Sequence, residues 1–191
     1  SLRDSTKYFS LLNADHPVLK NMFHNIIQSY SDYAYPINAL KGILNSDMEV
    51  IFVGAGPSLG DEQLDALREI IRTGSALVIA GGSANRILDN NHIYPHFSLN
   101  FDPHESEFDA IGYISKDYTD RVRMICTTGL HNGVYKLGWQ DKFVCPSATL
   151  PVLASYLEPG IDSIDEGCSG VSTMVVDIVS CLLYTSPSPR D

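Results

Sequence analysis

Short apolar runs alternate with helical patterns from residue 48 onward, and no other feature of the chain constrains its fold as much. "MEVIFV" (48–53), "ALVIA" (76–80), "FSLNF" (97–101), "VRMIC" (122–126) and "KFVC" (142–145) each read as a short buried strand. After the first, "DEQLDALREIIRT" puts Leu64, Leu67, Ile70 and Ile71 at helical spacing, with Gly74 as its cap. "SANRILDN" reads as another short helix, and "SATLPVLASYLE" and "SGVSTMVVDIVS" as helices beyond the fifth strand. Strands and helices in this order predict an α/β domain: Rossmann-like, three-layered, with a mostly parallel sheet. Residues 1–45 are expected to form a helical lead-in, with Pro17 at a first helical position after Asp15 or His16 and a tyrosine-rich connector behind it. Residues 46–180 then make the α/β domain.

The last eleven residues, "CLLYTSPSPRD", resemble the conceptual translation of a sequencing adaptor. On that reading 181–191 are artefactual and the domain is truncated at its C-terminus; the other reading is a disordered Ser/Pro tail. The formal net charge of -10 argues against nucleic acid or an anionic membrane as the main partner, since both select a basic face. No apolar run reaches the length of a membrane span and no signal peptide is visible. Four cysteines without a CxxC pair (Cys126, Cys145, Cys168, Cys181) argue against a disulfide scaffold or a zinc site, and a cytoplasmic protein is expected.

In a parallel sheet, ligands bind beyond the carboxyl ends of the strands. Four predicted strand ends carry glycine or polar residues there: "GAGPS" (54–58), "GGS" (81–83), "NFDPH" (100–104) and "TTGLHNG" (127–133). Gly54, Ala55 and Gly56 would let the backbone come close to a phosphate. Pro57 and Ser58 would open the next helix, whose free N–H groups and dipole attract anions. The same turn without a ligand is a plain strand-to-helix connection. It is a poor dinucleotide fingerprint, because Leu59 stands where a third glycine belongs and the second strand ends in Gly81-Gly82 rather than a carboxylate; NAD and FAD are not expected. Asp102 could bind a divalent metal or orient a nucleophile, or it could simply close an Asp-Pro turn. His104 and His131 are candidate proton carriers near neutral pH, with a surface or cap role as the alternative. Ser169, Gly170 and Ser172, in "GCSGVST", open another helix and form a second candidate anion site, or else an N-cap and a close packing point.

Three stretches together, "VIFVGAGPSLGDEQLDAL", "IYPHFSLNFDPHE" and "GCSGVSTMVVDIVS", resemble the MptE-like 6-hydroxymethylpterin pyrophosphokinase domain family, which includes the motility-associated factor (Maf) glycosyltransferases. The resemblance spans roughly residues 40–180. It implies a nucleotide-binding core and group transfer from an activated phosphate donor. Gly54, Gly56, Pro57 and Ser58 would hold the donor phosphate, Asp102 would sit at the active centre, and Gly167–Thr173 would close the nucleotide pocket. Two positions depart from the pattern. His96 replaces the aspartate of an Ile-x-Pro-Asp element, and Asn-Phe-Asp-Pro stands where pterin kinases resemble one another in a Thr-Asp-Leu-Asp-Gly strand end. One carboxylate instead of two tilts the expectation toward the Maf-like branch.

Three functions compete. The first is a glycosyltransferase moving a nonulosonic-acid-type sugar from a CMP donor to a protein hydroxyl, such as that of a flagellin-like acceptor. The second is a 6-hydroxymethyl-7,8-dihydropterin diphosphokinase using ATP and magnesium, with Asp102 as metal ligand. The third is a nucleotide-binding module without catalysis.

Overall fold

A computed structural model describes residues 17–31, 34–40, 48–145 and 178–179. Helix α1 (Pro17–Ser31) precedes a two-residue strand, β1 (Tyr35–Pro36), and a 3-10 turn (Ile37–Leu40). Then follow β2 (Val50–Val53), α2 (Asp61–Thr73), β3 (Leu77–Gly81), α3 (Ala84–Asn90) and β4 (Phe97–Asn100). The short helices α4 (Glu105–Ile111) and α5 (Lys116–Thr119) lead to β5 (Arg123–Thr127), α6 (Asn132–Tyr135) and β6 (Lys142–Cys145).

The six strands form one sheet in the order β1-β6-β5-β4-β3-β2, and every pairing is parallel. From β2 to β6 each strand is laid beside the previous one in a single direction. Right-handed crossovers then put all the connecting helices on one face. The packing agrees. Val53, Val78, Met124, Cys126 and Val144 pack with Leu64 and Leu67 of α2, Leu88 of α3, Ile111 of α4 and Val134 of α6. The residues between them, Leu77, Ile79, Phe97, Leu99, Ile125 and Phe143, point to the other face. That face is covered by Ile37 and Leu40 of the 3-10 turn and by Ile178, which is helical. A sheet buried on both sides needs apolar residues at consecutive positions, so its strands read as unbroken runs rather than alternations.

Helix α2 follows from its sequence. Leu64 and Leu67 are buried, Asp61 and Glu62 lie in the first turn, and Arg72 lies in the last, each charge matched to the dipole. Gly74 ends the helix at φ 65, a left-handed conformation that favours glycine. The expected start, however, is corrected. The chain turns at Pro57–Ser58, with Leu59 N–H donating to the Gly56 carbonyl at 3.1 Å, and the helix begins only at Asp61. Gly60 is its N-cap, and its N–H donates to Gln63 Oε1 at 3.2 Å. Once the turn has used the Gly56 carbonyl, Pro57 and Ser58 are no longer available as the first helical residues. The two helices expected beyond β6 lie outside the described residues, apart from 178–179, and so does the 181–191 tail.

Candidate functional site

Four loops emerge at the carboxyl edge of β2, β3, β4 and β5, side by side in that order. With strands about 4.8 Å apart, the turn after β2 lies about 10 Å from the loop after β4 and about 14 Å from the loop after β5. The sequence-named residues 54–58, 81–82, 102, 104 and 131 all fall on this row. Ser169, Gly170 and Ser172 lie outside the described residues.

The Gly54–Ser58 turn is exposed and flanks the outer strand, β2. Neither Gly54 nor Gly56 has a left-handed φ. A Cβ on Gly54 would come no nearer than 3.7 Å to Phe52, and one on Gly56 no nearer than 3.6 Å to Ser58 Oγ. The fold itself therefore accommodates a Cβ at both positions and does not by itself require glycine there. The helix dipole contributes less than the sequence suggests, because Asp61 and Glu62 occupy the first turn of α2. Beneath the turn a groove of about 320 Å³ is lined by Ile51, Val53, Leu59 and Leu67 among others.

The Gly81–Gly82 loop is held from below. Gly82 takes φ 50. Its carbonyl accepts from the side chain of buried Asn85 at 2.8 Å, and Asn85 Oδ1 accepts from the Tyr118 hydroxyl at 2.9 Å. Burial raises the titration of that phenol, so the hydroxyl stays a donor.

After β4, Asp102 does what an Asp-Pro turn predicts: its Oδ1 accepts from the His104 backbone N–H at 2.9 Å. The same oxygen lies 2.7 Å from His104 Nδ1. That places the imidazole proton on Nδ1 and leaves Nε2 as an acceptor, on a side chain that is 64% exposed. His131, in contrast, has both nitrogens engaged. Its Nδ1 accepts from Gly133 N–H at 3.2 Å and its Nε2 lies 3.0 Å from Glu105 Oε2. The two candidate histidines are thus differently placed, and only His104 offers an unengaged nitrogen. The ring of Phe108 packs beside His131, 5.6 Å between centroids, and against Gly112 and Gly133.

Glu107 is half-buried on the first turn of α4. Burial, and secondarily the charge of Asp102, pushes its carboxyl to about 7. Asn100, at the end of β4, is 1% exposed; its amide donates to Ser98 Oγ at 2.8 Å while its Oδ1 has no partner among the described residues. The hydroxyl of Thr127, at the end of β5, is buried and likewise has no partner among the described residues. Among the described residues no three His, Cys, Asp or Glu side chains converge as a metal group, around Asp102 or elsewhere. Among them, too, no helix is long and apolar enough to cross a membrane.

His96, the departure from the Ile-x-Pro-Asp element, lies just ahead of β4, at the opposite edge of the sheet from this row. Its Nδ1 accepts from Val78 N–H at 3.0 Å and its own N–H donates to the Val78 carbonyl at 3.0 Å. An aspartate could accept the same bond. The departure therefore bears on sheet structure, not on the strand-end loops.

Sequence reasoning missed Asn21 and Asn25 on α1, which reach both the β4 and β5 loops. Val18, Asn21, Met22 and Asn25 are all buried and follow a helical stripe. Two asparagines among the apolar positions of a helix were the available signal.

The fold agrees with comparison to known proteins. A search of solved structures finds the Maf glycosyltransferase from Magnetospirillum magneticum AMB-1, at a TM-score of 0.54 and 19% sequence identity. The likeness is one of fold; it covers 72% of this chain and 22% of that one. No curated protein matches the sequence. The family described as 6-hydroxymethylpterin diphosphokinase MptE-like matches residues 20–185, a span that takes in most of α1, the whole row of loops and the sequence beyond β6. The chain belongs to the MptE-like family.

Proposed function

We propose that the chain is a transferase that lays a nucleotide-activated donor across the row of strand ends, with the donor phosphate at Gly54–Ser58 and proton transfer at His104. The observation that carries this reading is the Asp102–His104 pair. A carboxylate oxygen lies 2.7 Å from Nδ1 of an imidazole side chain that is 64% exposed, two strands away from an exposed glycine turn. About 10 Å between them is room for a sugar between leaving phosphate and acceptor.

The reaction best suited to this layout is transfer of a nonulosonic-acid-type sugar from a CMP donor to a protein hydroxyl. His104 Nε2 takes the acceptor's proton as the new C–O bond forms. The bond from the sugar to the phosphate oxygen breaks through an oxocarbenium-like centre, and CMP departs with the electron pair, its charge met by backbone N–H groups of the turn. The Maf glycosyltransferase found among solved structures supports the direction of this reading. A pterin diphosphokinase is the second reading, favoured by the family's own description. It would need ATP and magnesium. Asp102 would be a carboxylate ligand of the ion, with substrate phosphates and water in the shell.

Calorimetric titration with CMP, CDP, ATP and AMP, with and without magnesium, separates the two. Selective cytidine binding that is lost in Gly56→Val supports glycosyl transfer. Magnesium-dependent ATP binding supports the diphosphokinase. Gly56→Val is informative because its Cβ meets nothing closer than 3.6 Å in the fold, so a variant shown to be folded that fails to bind reports a collision with ligand. Unaltered binding in that variant would remove the phosphate from the turn.

A further inference from the structure

Helix α1 precedes the sheet in sequence and contributes no strand-end loop, yet Asn21 and Asn25 on it make five hydrogen bonds to the loops of the site. The buried Asn25 side chain donates to the Thr128 carbonyl at 3.0 Å and the Leu130 carbonyl at 2.7 Å. Its Oδ1 accepts from the Asn132 side chain at 2.8 Å. One turn earlier, Asn21 donates to the Pro103 carbonyl at 2.9 Å and the Gly129 carbonyl at 3.4 Å. Asn21 therefore touches both loops, the one with Asp102 and His104 and the one with His131, and Asn25 clamps the second at three points.

We infer that Asn21 and Asn25 are positioning residues that hold the β4 and β5 loops in register, so that α1 is part of the site. The inference rests on the reading that these loops carry the chemistry. Apart from α1, the two loops are joined by the bond from His131 N–H to the Asp102 carbonyl at 3.0 Å and by the Glu105 contact to His131. Residues four apart on a helix share a face, so Asn21 and Asn25 address adjacent loops from one rigid rod. Chemistry selects asparagine at 25. Two carbonyls need a donor and the Asn132 amide needs an acceptor, and a carboxamide supplies both. Aspartate would put a negative charge against two carbonyl oxygens, and leucine would leave all three groups without this partner. Because Asn25 is fully buried, bulk solvent does not reach these groups in the intact protein.

The test follows the loops directly. In the 191-residue chain, Asn25→Ala and the milder Asn21→Ala and Asn132→Ala are compared by NMR. Imidazole tautomer signals are followed for His104 and His131, and amide exchange for His131 and Gly133. We expect exchange of the His131 and Gly133 amides to rise at least tenfold and the His131 tautomer signal to shift, with the amides of Val78 and Ile79 in β3 unaffected. A role in stability alone would raise exchange across the sheet together and leave the tautomers of the folded molecules as they were; that outcome overturns the inference. If Asn25→Ala does not fold, Asn21→Ala and Asn132→Ala give the same two outcomes. Nucleotide affinity, measured on the same variants, keeps the two claims apart. Loosened loops with unchanged binding and transfer would uphold the clamp and refute the placement of chemistry at His104.

Discussion

Replacing Glu107 with glutamine should stabilise the protein in alkaline solution and leave it nearly unchanged in acid. The carboxyl titrates at about 7 in the fold against an ordinary value of 4.5, chiefly because it is buried and partly because Asp102 is near. A folded value above the unfolded one means that the native state holds a proton which the unfolded state has already released. Stability therefore falls as pH rises from about 4.5 to about 7, and is flat outside that window for this group. At 1.36 kcal/mol per pH unit, the ionised carboxyl costs the fold about 3 kcal/mol above pH 7. Against total stabilities of about 5–15 kcal/mol, that is readily measured. Urea titrations of the natural chain and Glu107→Gln at pH 4.5 and pH 8.5 give the comparison. The other carboxylates titrate in both proteins, so the difference between the two profiles isolates position 107. The expected result is coincidence near pH 4.5 and a gap of about 3 kcal/mol in favour of glutamine at pH 8.5. Parallel profiles would refute the argument. Asp102→Asn, which removes the neighbouring charge, should narrow the gap without closing it, since burial is the larger cause.

Two further substitutions probe the frame around the loops. A Cβ at Gly133 would lie 2.7 Å from the Phe108 ring, and one at Gly112 would lie 2.5 Å from the Phe108 carbonyl oxygen. Gly133→Ala should cost about 1–3 kcal/mol and Gly112→Ala more, because a ring can turn aside and a backbone carbonyl cannot; urea midpoints read both. His96→Ala removes the acceptor of Val78 N–H and should cost about 1–2 kcal/mol, whereas His96→Asp should retain most of it. Equal losses in the two His96 variants would show that the imidazole does more there than accept one bond.

The fold was legible in the sequence because a sheet covered on both faces leaves unbroken apolar runs, and all five runs from 48 to 145 form strands. The end of α2 at Thr73 and both boundaries of "KFVC" agree with the expectation to the residue. What escaped was short or was settled at long range. Strand β1 is two residues paired to β6 more than a hundred positions away, and nothing local distinguishes Tyr35–Pro36 from the connector it lies in. Helices α4, α5 and α6 span seven residues or fewer and carry too few apolar positions to set a period. At the site, sequence found the row of loops because strand ends in parallel sheets are where ligands go. It could not tell His104 from His131, since the difference lies in which nitrogen meets Asp102 and which meets Gly133. Nor could it tell that Gly54 and Gly56 are in unstrained backbone, because a Gly-x-Gly pattern looks the same whether the turn or a ligand requires it.

The single-direction winding of β2 to β6 bears on the order in which the chain can mature during synthesis. Each helix on the first face adjoins its own strand in sequence, so that layer can close unit by unit with short loops and little entropy lost at each step. Among the described residues the opposite face has no such local partner. Its cover joins Ile37 and Leu40 to Ile178, residues about 140 positions apart. Until the ribosome has released Ile178, Leu77, Ile79, Phe97, Leu99 and Phe143 lack that part of their cover. At 5–20 residues per second the interval lasts several seconds, and during it the half-finished sheet is the surface a chaperone would meet.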